Sequence, residues 1–169
     1  MTDAPRYLRE PPDLHPAVAG FLEHRGDVGE PEIQASLLLL VANGDLEQRA
    51  SSRRVTTIAR AHDIEVTELR PVAERWDALD ILDKELISFL WATLGGAGAL
   101  SLADLQAATR SRERTFRAGL ARWQQNVAGR AEQLGLMQSG RLTDAGVAER
   151  DRLRAFERFL HYCATLDDV

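Results

Sequence analysis

The residues best suited to chemistry in this sequence are arginines clustered between positions 110 and 130. That stretch contains a single acidic residue, Glu113. Because a guanidinium group donates paired hydrogen bonds to phosphate or carboxylate oxygens, such a cluster is suited to contact with a nucleic acid or a protein partner. The alternative interpretation is a solvated face, since all but one of the 21 basic residues of the chain are arginines. The candidate contact residues are Arg112, Arg114, Arg117, Arg122 and Arg141.

An amphipathic helix is predicted over 112–134, and it carries the first four of these arginines. Its apolar residues recur at steps of three, four and seven, which places them on one side of a helix. They are Phe116, Leu120, Trp123, Val127, Ala131 and Leu134. A short helix over 102–109 is predicted just before it, because Ser101 and Asp104 resemble a capping box. Helix, short turn and helix match a helix-turn-helix, whose second helix enters the major groove of DNA.

A tight hairpin is predicted after the long helix. Two short apolar segments flank Ser139-Gly140, a dipeptide of the type that two-residue hairpin turns favour. A final helix is predicted over 144–166, where Phe156, Phe159 and Cys163 share one side. Helix, hairpin and helix are typical of the end of a winged-helix unit.

The first part of the chain predicts a related arrangement. Helices are expected from Pro16 to Arg25 and from Pro31 to the stop signal Asn43-Gly44. Two short strands, 46–50 and 55–59, are predicted around a polar turn at 51–54, and a third extended segment covers 64–69. A winged-helix unit has three helices and this one has two, so it is interpreted as degenerate.

The helix predicted over 80–94 is apolar around most of its circumference, which is typical of a buried helix. The predicted fold is therefore mainly α with small β-hairpin wings, as two winged-helix-like units packed through this central buried helix. The predicted parts are an extended N-terminal arm over 1–14, a first unit over 15–76 and a second unit with the C-terminal helix over 77–169. The side chains expected to be inaccessible are Leu37, Leu86, Phe89, Trp91, Leu120, Trp123 and Phe156.

No set of residues in the sequence predicts catalysis or metal binding. The segment Gly95–Gly98 lacks the lysine and hydroxyl of a phosphate-binding loop. The four histidines contain no pair at metal-ligand spacing, and one cysteine excludes both an intramolecular disulfide and a thiolate zinc cluster. We therefore expect no enzyme activity, no cofactor, no metal and no small-molecule substrate.

The charge of the chain is distributed unevenly. The net charge is −5. Residues 1–98 carry 10 basic and 17 acidic side chains, whereas residues 99–169 carry 11 basic and 9 acidic ones. The acidic first half argues against general binding to polyanions and suits protein contacts. The sequence has no secretory signal and no apolar run near the ~20 residues that a membrane span needs, so a cytoplasmic location is expected.

Three segments of the chain resemble one bacterial family, the predicted membrane proteins bearing domain of unknown function 2207. Residues 10–20 are similar to the proline-rich start of its cytosolic region. Residues 32–40 with Asn43-Gly44 resemble its "I-x-A-x-L-x-x-L…G" helix, and residues 142–146 with 156–160 resemble its closing helix. The resemblance implies a tandem winged-helix-like cytosolic region, present here as a soluble fragment or a stand-alone relative. It implies no agreed activity and no catalytic residues.

These observations predict a non-enzymatic interaction or regulatory module. The expected partner is a protein or a sister domain of a membrane protein, at the inner face of a membrane. The alternative is a DNA-binding winged-helix regulator that uses the arginine-rich helix 112–134, with the arginine of the second wing, Arg141, as an additional contact.

Overall fold

A computed structural model describes residue 10 and residues 12–56, 61–94 and 98–166. The protein is mainly helical, as predicted, with a small antiparallel sheet and a two-stranded hairpin. The α-helices are α1 (Pro16–Glu23), α2 (Glu30–Ala42), α3 (Ile81–Leu94), α4 (Leu102–Ser111), α5 (Glu113–Gln133) and α6 (Asp144–Leu166). The strands are β1 (Leu46–Thr56), β2 (Ala61–Pro71), β3 (Leu100–Ser101), β4 (Met137–Gln138) and β5 (Arg141–Leu142), and a 3₁₀ helix covers Ala73–Ala78.

The chain forms two compact units, of which one is a continuous segment and the other is made of two separate segments. A terminal unit combines the chain up to Glu32 with the chain from Gln124 onward, and a central unit consists of Ile33–Trp123. Helices α2 and α5 therefore each contribute residues to both units. This division follows packing, whereas the predicted units 15–76 and 77–169 follow repeated motifs, so those boundaries stay a prediction. Most of the predicted arm over 1–14 lies outside the described residues.

In the terminal unit, α1 is held to α6 and to the start of α2. Val18 and Leu22 of α1 are fully buried. Glu23 on α1 accepts hydrogen bonds from the Nε of Arg154 on α6, the shorter at 2.8 Å. Glu32 is buried, and its carboxylate accepts the Gly29 N–H at 2.7 Å and lies 2.9 Å from the His24 Nδ1. These contacts fix the loop between α1 and α2.

The hairpin β4–β5 has the predicted two-residue turn. Ser139 has φ +49° and Gly140 has φ +74°, so both turn residues are left-handed. Left-handed residues at both positions match the right-handed twist of a tight hairpin, which explains the Ser-Gly dipeptide. Met137 pairs with Leu142 across the turn. The side chain of Thr143 then accepts the Gly146 N–H at 3.1 Å and so caps α6 at its predicted start.

In the central unit, β1, β2 and β3 form one sheet in that order. β1 and β2 are antiparallel over their full length, from the pair Leu46–Pro71 to the pair Thr56–Ala61. The side chains of β2 alternate, with Asp63 and Glu65 exposed. The two-residue strand β3 pairs with Glu68 and Leu69, near the end of β2, and was not predicted, because so short a strand leaves no periodic signal.

The predicted polar turn at 51–54 is wrong. These residues belong to β1 and pair with residues 63–66 of β2, so the two short strands expected around them are one long strand. Serine and arginine do not require turn geometry, and this segment contains no glycine, proline or asparagine to impose it. The connection between β1 and β2 falls after Thr56, in residues outside the described ranges.

Helix α3 carries the core of the central unit. Ile87 packs with Leu40 of α2 and Leu46 of β1. On α3, Phe89 lies 6.2 Å from the ring of Trp123 on α5, measured between centroids. The indole N–H of Trp123 donates to the Leu82 carbonyl at 3.1 Å, which fastens α5 to the start of α3.

The burial predictions are confirmed in part. Leu86, Phe89 and Trp123 are buried. Half-buried are Leu37, Trp91, Leu120 and Phe156. Ile81, in the helix expected to be buried almost all round, is 57% exposed. None of the described helices is both long and apolar enough to cross a membrane.

Candidate functional site

Helices α4 and α5 present the predicted arginines. Ser101 caps α4, since its Oγ accepts the Asp104 N–H at 3.2 Å, as the capping-box spacing predicts. α4 ends at Ser111 and α5 begins at Glu113, so a single residue, Arg112, connects them. A helix-turn-helix has a connection of about 3–4 residues. The connection here is therefore shorter than the one that the DNA-binding motif uses.

Arg112 is bound within the central unit. Its guanidinium Nη1 donates to the carbonyl oxygen of Thr93 at 3.2 Å. Thr93 lies in the last turn of α3, where carbonyl oxygens have no partner within the helix and the helix dipole favours a positive charge. Arg112 therefore stabilises the end of α3 and is not fully available to a partner.

Arg117 is paired with its own helix. Its Nη2 lies 2.5 Å from the Glu113 Oε1, four residues earlier, and the side chains are 76% and 58% exposed. Exposed pairs at this spacing contribute about 0.3–0.5 kcal/mol, so a partner can displace Glu113 at small cost. While the pair persists, it neutralises one charge of the cluster.

Arg114 and Arg122 are exposed, and neither has an ion pair or hydrogen bond of its side chain within the described residues. Ala118 and Ala121 are also exposed and lie between them, at steps of four, three and one along α5. These steps place all four residues on one side of the helix, away from the buried Trp123. We call Arg114, Ala118, Ala121 and Arg122 the arginine face.

A cavity adjoins one edge of this face. It has a volume of about 330 Å³ and is lined by residues of α3 and α5, among them Arg122, Glu85 and Thr115. The backbone of Gly119 allows α5 to approach α3 here, since a Cβ at this position would lie 2.6 Å from the Cβ of Phe89. A partner side chain can therefore enter the cavity beside the arginine face.

The fifth candidate, Arg141, lies on β5 opposite Gln138 and is exposed. It belongs to the terminal unit, whereas the four helix arginines belong to the central unit. The structure thus brings Arg114 and Arg122 together on one surface and uses Arg112 and Arg117 in contacts within the chain.

Sequence reasoning missed an ion pair that joins β1 to α4. Arg53 donates from Nη1 and Nη2 to the two carboxylate oxygens of Asp104, at 2.5 and 2.8 Å. Ser101 donates from Oγ to the same carboxylate at 2.6 Å. The Arg53 and Ser101 hydrogen bonds lower the pKa of Asp104 to about 2, and the same carboxylate raises the pKa of Arg53. The capping-box spacing pointed to Asp104, but no local signal connects it to Arg53.

The described residues contain no group of three or more histidine, cysteine, aspartate or glutamate side chains that could hold a metal ion. No family model, curated protein or solved structure matches the chain. The chemistry of the site therefore follows from its own side chains. The arginine face offers two guanidinium groups around a small apolar strip, and guanidinium groups bind carboxylates or phosphates.

Proposed function

We propose that the chain is a non-enzymatic interaction or regulatory module that binds an acidic protein partner, or a sister domain, through the arginine face. The observation that carries the proposal is the exposure of Arg114 and Arg122, without ion-pair partners in the described chain, on either side of Ala118 and Ala121. Guanidinium groups pair with carboxylates in two-point geometry. Small side chains between them allow a partner helix to lie close to α5.

The distribution of hydrogen bonds favours a protein over a nucleic acid as the partner. Much of the affinity of a protein for duplex DNA comes from contacts of lysine and arginine side chains with phosphates, so several free guanidinium groups favour it. Of the four helix arginines, Arg112 is bound to the Thr93 carbonyl and Arg117 to Glu113. Two guanidinium groups and an apolar strip suit a small, transient protein interface better than a phosphate backbone.

We place the chain, as part of this proposal, in the cytosolic region of the membrane-protein family that its sequence resembles, with two winged-helix-like units. The order α3, β3, α4, α5, β4, β5 supports a winged-helix interpretation of the second unit. The pairing of β3 with β2, in a sheet separate from β4–β5, is a departure from that arrangement. Membrane association is tested by fractionation of host cells, where a cytosolic pool alone would contradict it.

The proposal is tested by affinity capture from a nuclease-treated lysate of the native host. The full chain is compared with the double charge reversal Arg114→Glu/Arg122→Glu and with the control Arg25→Glu. Arg25 is exposed and belongs to the terminal unit. We expect a protein that the wild type and the control retain and the double variant loses. That protein, purified, should bind the full chain in calorimetry, with an affinity that falls as salt rises.

Two results would contradict the proposal. One is equal capture by the double variant and the wild type, because the arginine face would then contribute nothing. The other is turnover of a small molecule by the purified protein that persists in the double variant.

Binding of DNA by the same face is the second candidate, and the exposed position of the arginines at the start of α5 favours it. The sequence predicts four phosphate contacts from the helix. While Arg112 stays bound to the Thr93 carbonyl and Arg117 stays paired with Glu113, we expect two. The logarithm of the binding constant should then fall with the logarithm of the salt concentration at a slope of about −1.8, against about −3.6 for four contacts.

A titration of labelled duplex with the full chain at about 50 mM salt distinguishes these cases. Replacement of Arg114 by Ala should flatten the slope by about 0.9 whatever the DNA sequence, since phosphate contacts carry no sequence information. The absence of binding at micromolar protein would remove DNA as the partner and leave the protein partner as the sole candidate.

A further inference from the structure

A second cavity of the central unit is lined by two tryptophans and a carboxylate. It is shallow and open to solvent, with a volume of about 500 Å³. Among the described residues it is lined by Pro71, Ala73, Trp76, Asp77, Trp91 and Gly98. Trp76 belongs to the 3₁₀ helix that follows β2, and Trp91 belongs to the last turn of α3. None of these residues belongs to the arginine face.

The two tryptophan rings are anchored by the core but are only half-buried. Both pack against the cluster of Leu40, Leu46 and Ile87. The indole N–H of Trp91 is buried and has no hydrogen-bond partner among the described residues, whereas that of Trp123 donates to the Leu82 carbonyl. A buried N–H without a partner is unfavourable. Packing therefore explains why an aromatic ring lies at position 91, but it does not explain why that ring carries the N–H of a tryptophan.

The described lining of the cavity includes one carboxylate, that of Asp77. The carboxylate of Asp77 has no ion pair within the described part of the chain. Lys84 donates from Nζ to the backbone carbonyl of Asp77 at 3.1 Å. Arg75 is paired through Nε with the carboxylate of Asp45 at 2.5 Å. Neither of these two basic side chains pairs with the Asp77 carboxylate, and Asp77 is exposed.

We propose that this cavity binds an organic cation of the alkylated ammonium class, with the ammonium group against the faces of Trp76 and Trp91 and its charge balanced by Asp77. The electron-rich faces of tryptophan attract such cations more strongly than those of other aromatic residues, and the attraction increases when water is displaced. A carboxylate at the rim adds a Coulombic attraction that a neutral ligand does not feel. This site is independent of the arginine face and of the partner proposed for it.

The test is a titration of the full chain with choline, followed by intrinsic tryptophan fluorescence and by calorimetry. Trp123 is buried and serves as a constant background, so a fluorescence change reports Trp76 and Trp91. The uncharged isostere 3,3-dimethyl-1-butanol is the control ligand. We expect choline to bind about 5-fold to 30-fold more tightly than the isostere, which corresponds to the range of cation–π attraction. Equal binding of the two, or binding of neither at about 10 mM, would overturn the proposal.

Two substitutions locate the site. Asp77→Asn should weaken choline binding about 5-fold or more. The control is Glu74→Gln. Glu74 is an exposed carboxylate in the same 3₁₀ helix but outside the cavity lining, so its substitution should leave choline binding unchanged. An equal loss in both variants would indicate a diffuse charge effect and overturn the site. Asp77 is exposed, so we expect the Asp77→Asn variant to fold normally.

Vesicles of phosphatidylcholine distinguish the source of the cation. Cosedimentation of the protein with these vesicles that Asp77→Asn abolishes identifies a lipid headgroup. Binding of free choline without cosedimentation identifies a soluble ligand.

Discussion

Arg53 and Asp104 form a two-point ion pair between the middle of β1 and the first turn of α4. The residues are far apart in sequence, so the pair joins the long hairpin to the helix that precedes the arginine face. Ser101, the cap of α4, donates to the same carboxylate. Asp104 therefore satisfies three donors at one helix start, where the helix dipole also favours a negative charge.

Protonation of Asp104 should destabilise the protein in a defined pH range. Its pKa is about 2 in the folded protein, against 3.8 ordinarily, because Arg53 and Ser101 donate to the ionised form. A carboxyl whose folded pKa is lowered contributes stability that is complete above pH ~4 and is lost as the pH falls toward ~2. Since the pair is partly exposed, we expect Asp104→Asn to cost about 1 kcal/mol at pH 7 and almost nothing below pH ~2. Urea unfolding across this range, with exposed Glu65→Gln as the control, measures the difference. A constant offset between variant and wild type down to pH ~2 would contradict this assignment.

Elements with local signals were predictable from the sequence, and pairings between distant segments were not. The bounds of α6 and the turn at Ser139-Gly140 follow from caps, periodicity and turn-forming residues. The segment 51–54 has no such local signal. It pairs with residues 63–66, and its Arg53 binds Asp104, so its contacts lie with distant parts of the sequence. Alternation of apolar and polar residues alone could not predict this strand.

The candidate site follows the same rule. The sequence predicted the helix that carries the arginines, but not which of these arginines form contacts within the chain. The Arg117–Glu113 pair could have been found, since residues four apart on a helix are neighbours. The Arg112 contact could not, because it depends on where α3 ends relative to α4. The tryptophan cavity likewise depends on the meeting of Trp76 and Trp91, which are in different elements.

Trp123 and Trp91 should contribute differently to the stability of the protein, because their indole N–H groups differ in hydrogen bonding. Trp123→Phe removes a hydrogen bond to the Leu82 carbonyl and leaves unfilled volume in the core, which should cost about 1–3 kcal/mol. Trp91→Phe removes an N–H that has no partner among the described residues, so its cost should be below about 1 kcal/mol. Chemical denaturation of both variants measures the difference. An equal loss would mean that the Trp123 hydrogen bond contributes nothing measurable.

Burial predicts unequal costs for two leucines that belong to neighbouring helices of the central unit. Leu86 on α3 is fully buried, so Leu86→Ala should cost about 2–5 kcal/mol through lost apolar burial and a residual cavity. Leu120 on α5 is half-buried, and Leu120→Ala should cost less because less apolar area is exposed to water by the change. Thermal and urea unfolding compare the two. A smaller loss at Leu86 than at Leu120 would show that α3 does not carry the core.

Two glycines of α5 should respond to alanine in opposite directions. A Cβ at Gly119 would lie 2.6 Å from the Cβ of Phe89, an atom fixed to the α3 backbone, so the two helices would have to separate. Overpacking of this kind costs about 1–3 kcal/mol and outweighs the gain of about 0.8–1 kcal/mol in helix propensity. Gly129 lies in the same helix, and no atom of the described residues lies within 4 Å of an added Cβ there, so Gly129→Ala gains helix propensity without a clash and should stabilise the protein. Unfolding free energies test the sign at each position. Stabilisation by Gly119→Ala would show that α3 and α5 are not in close contact there, and would also remove the wall of the cavity beside the arginine face.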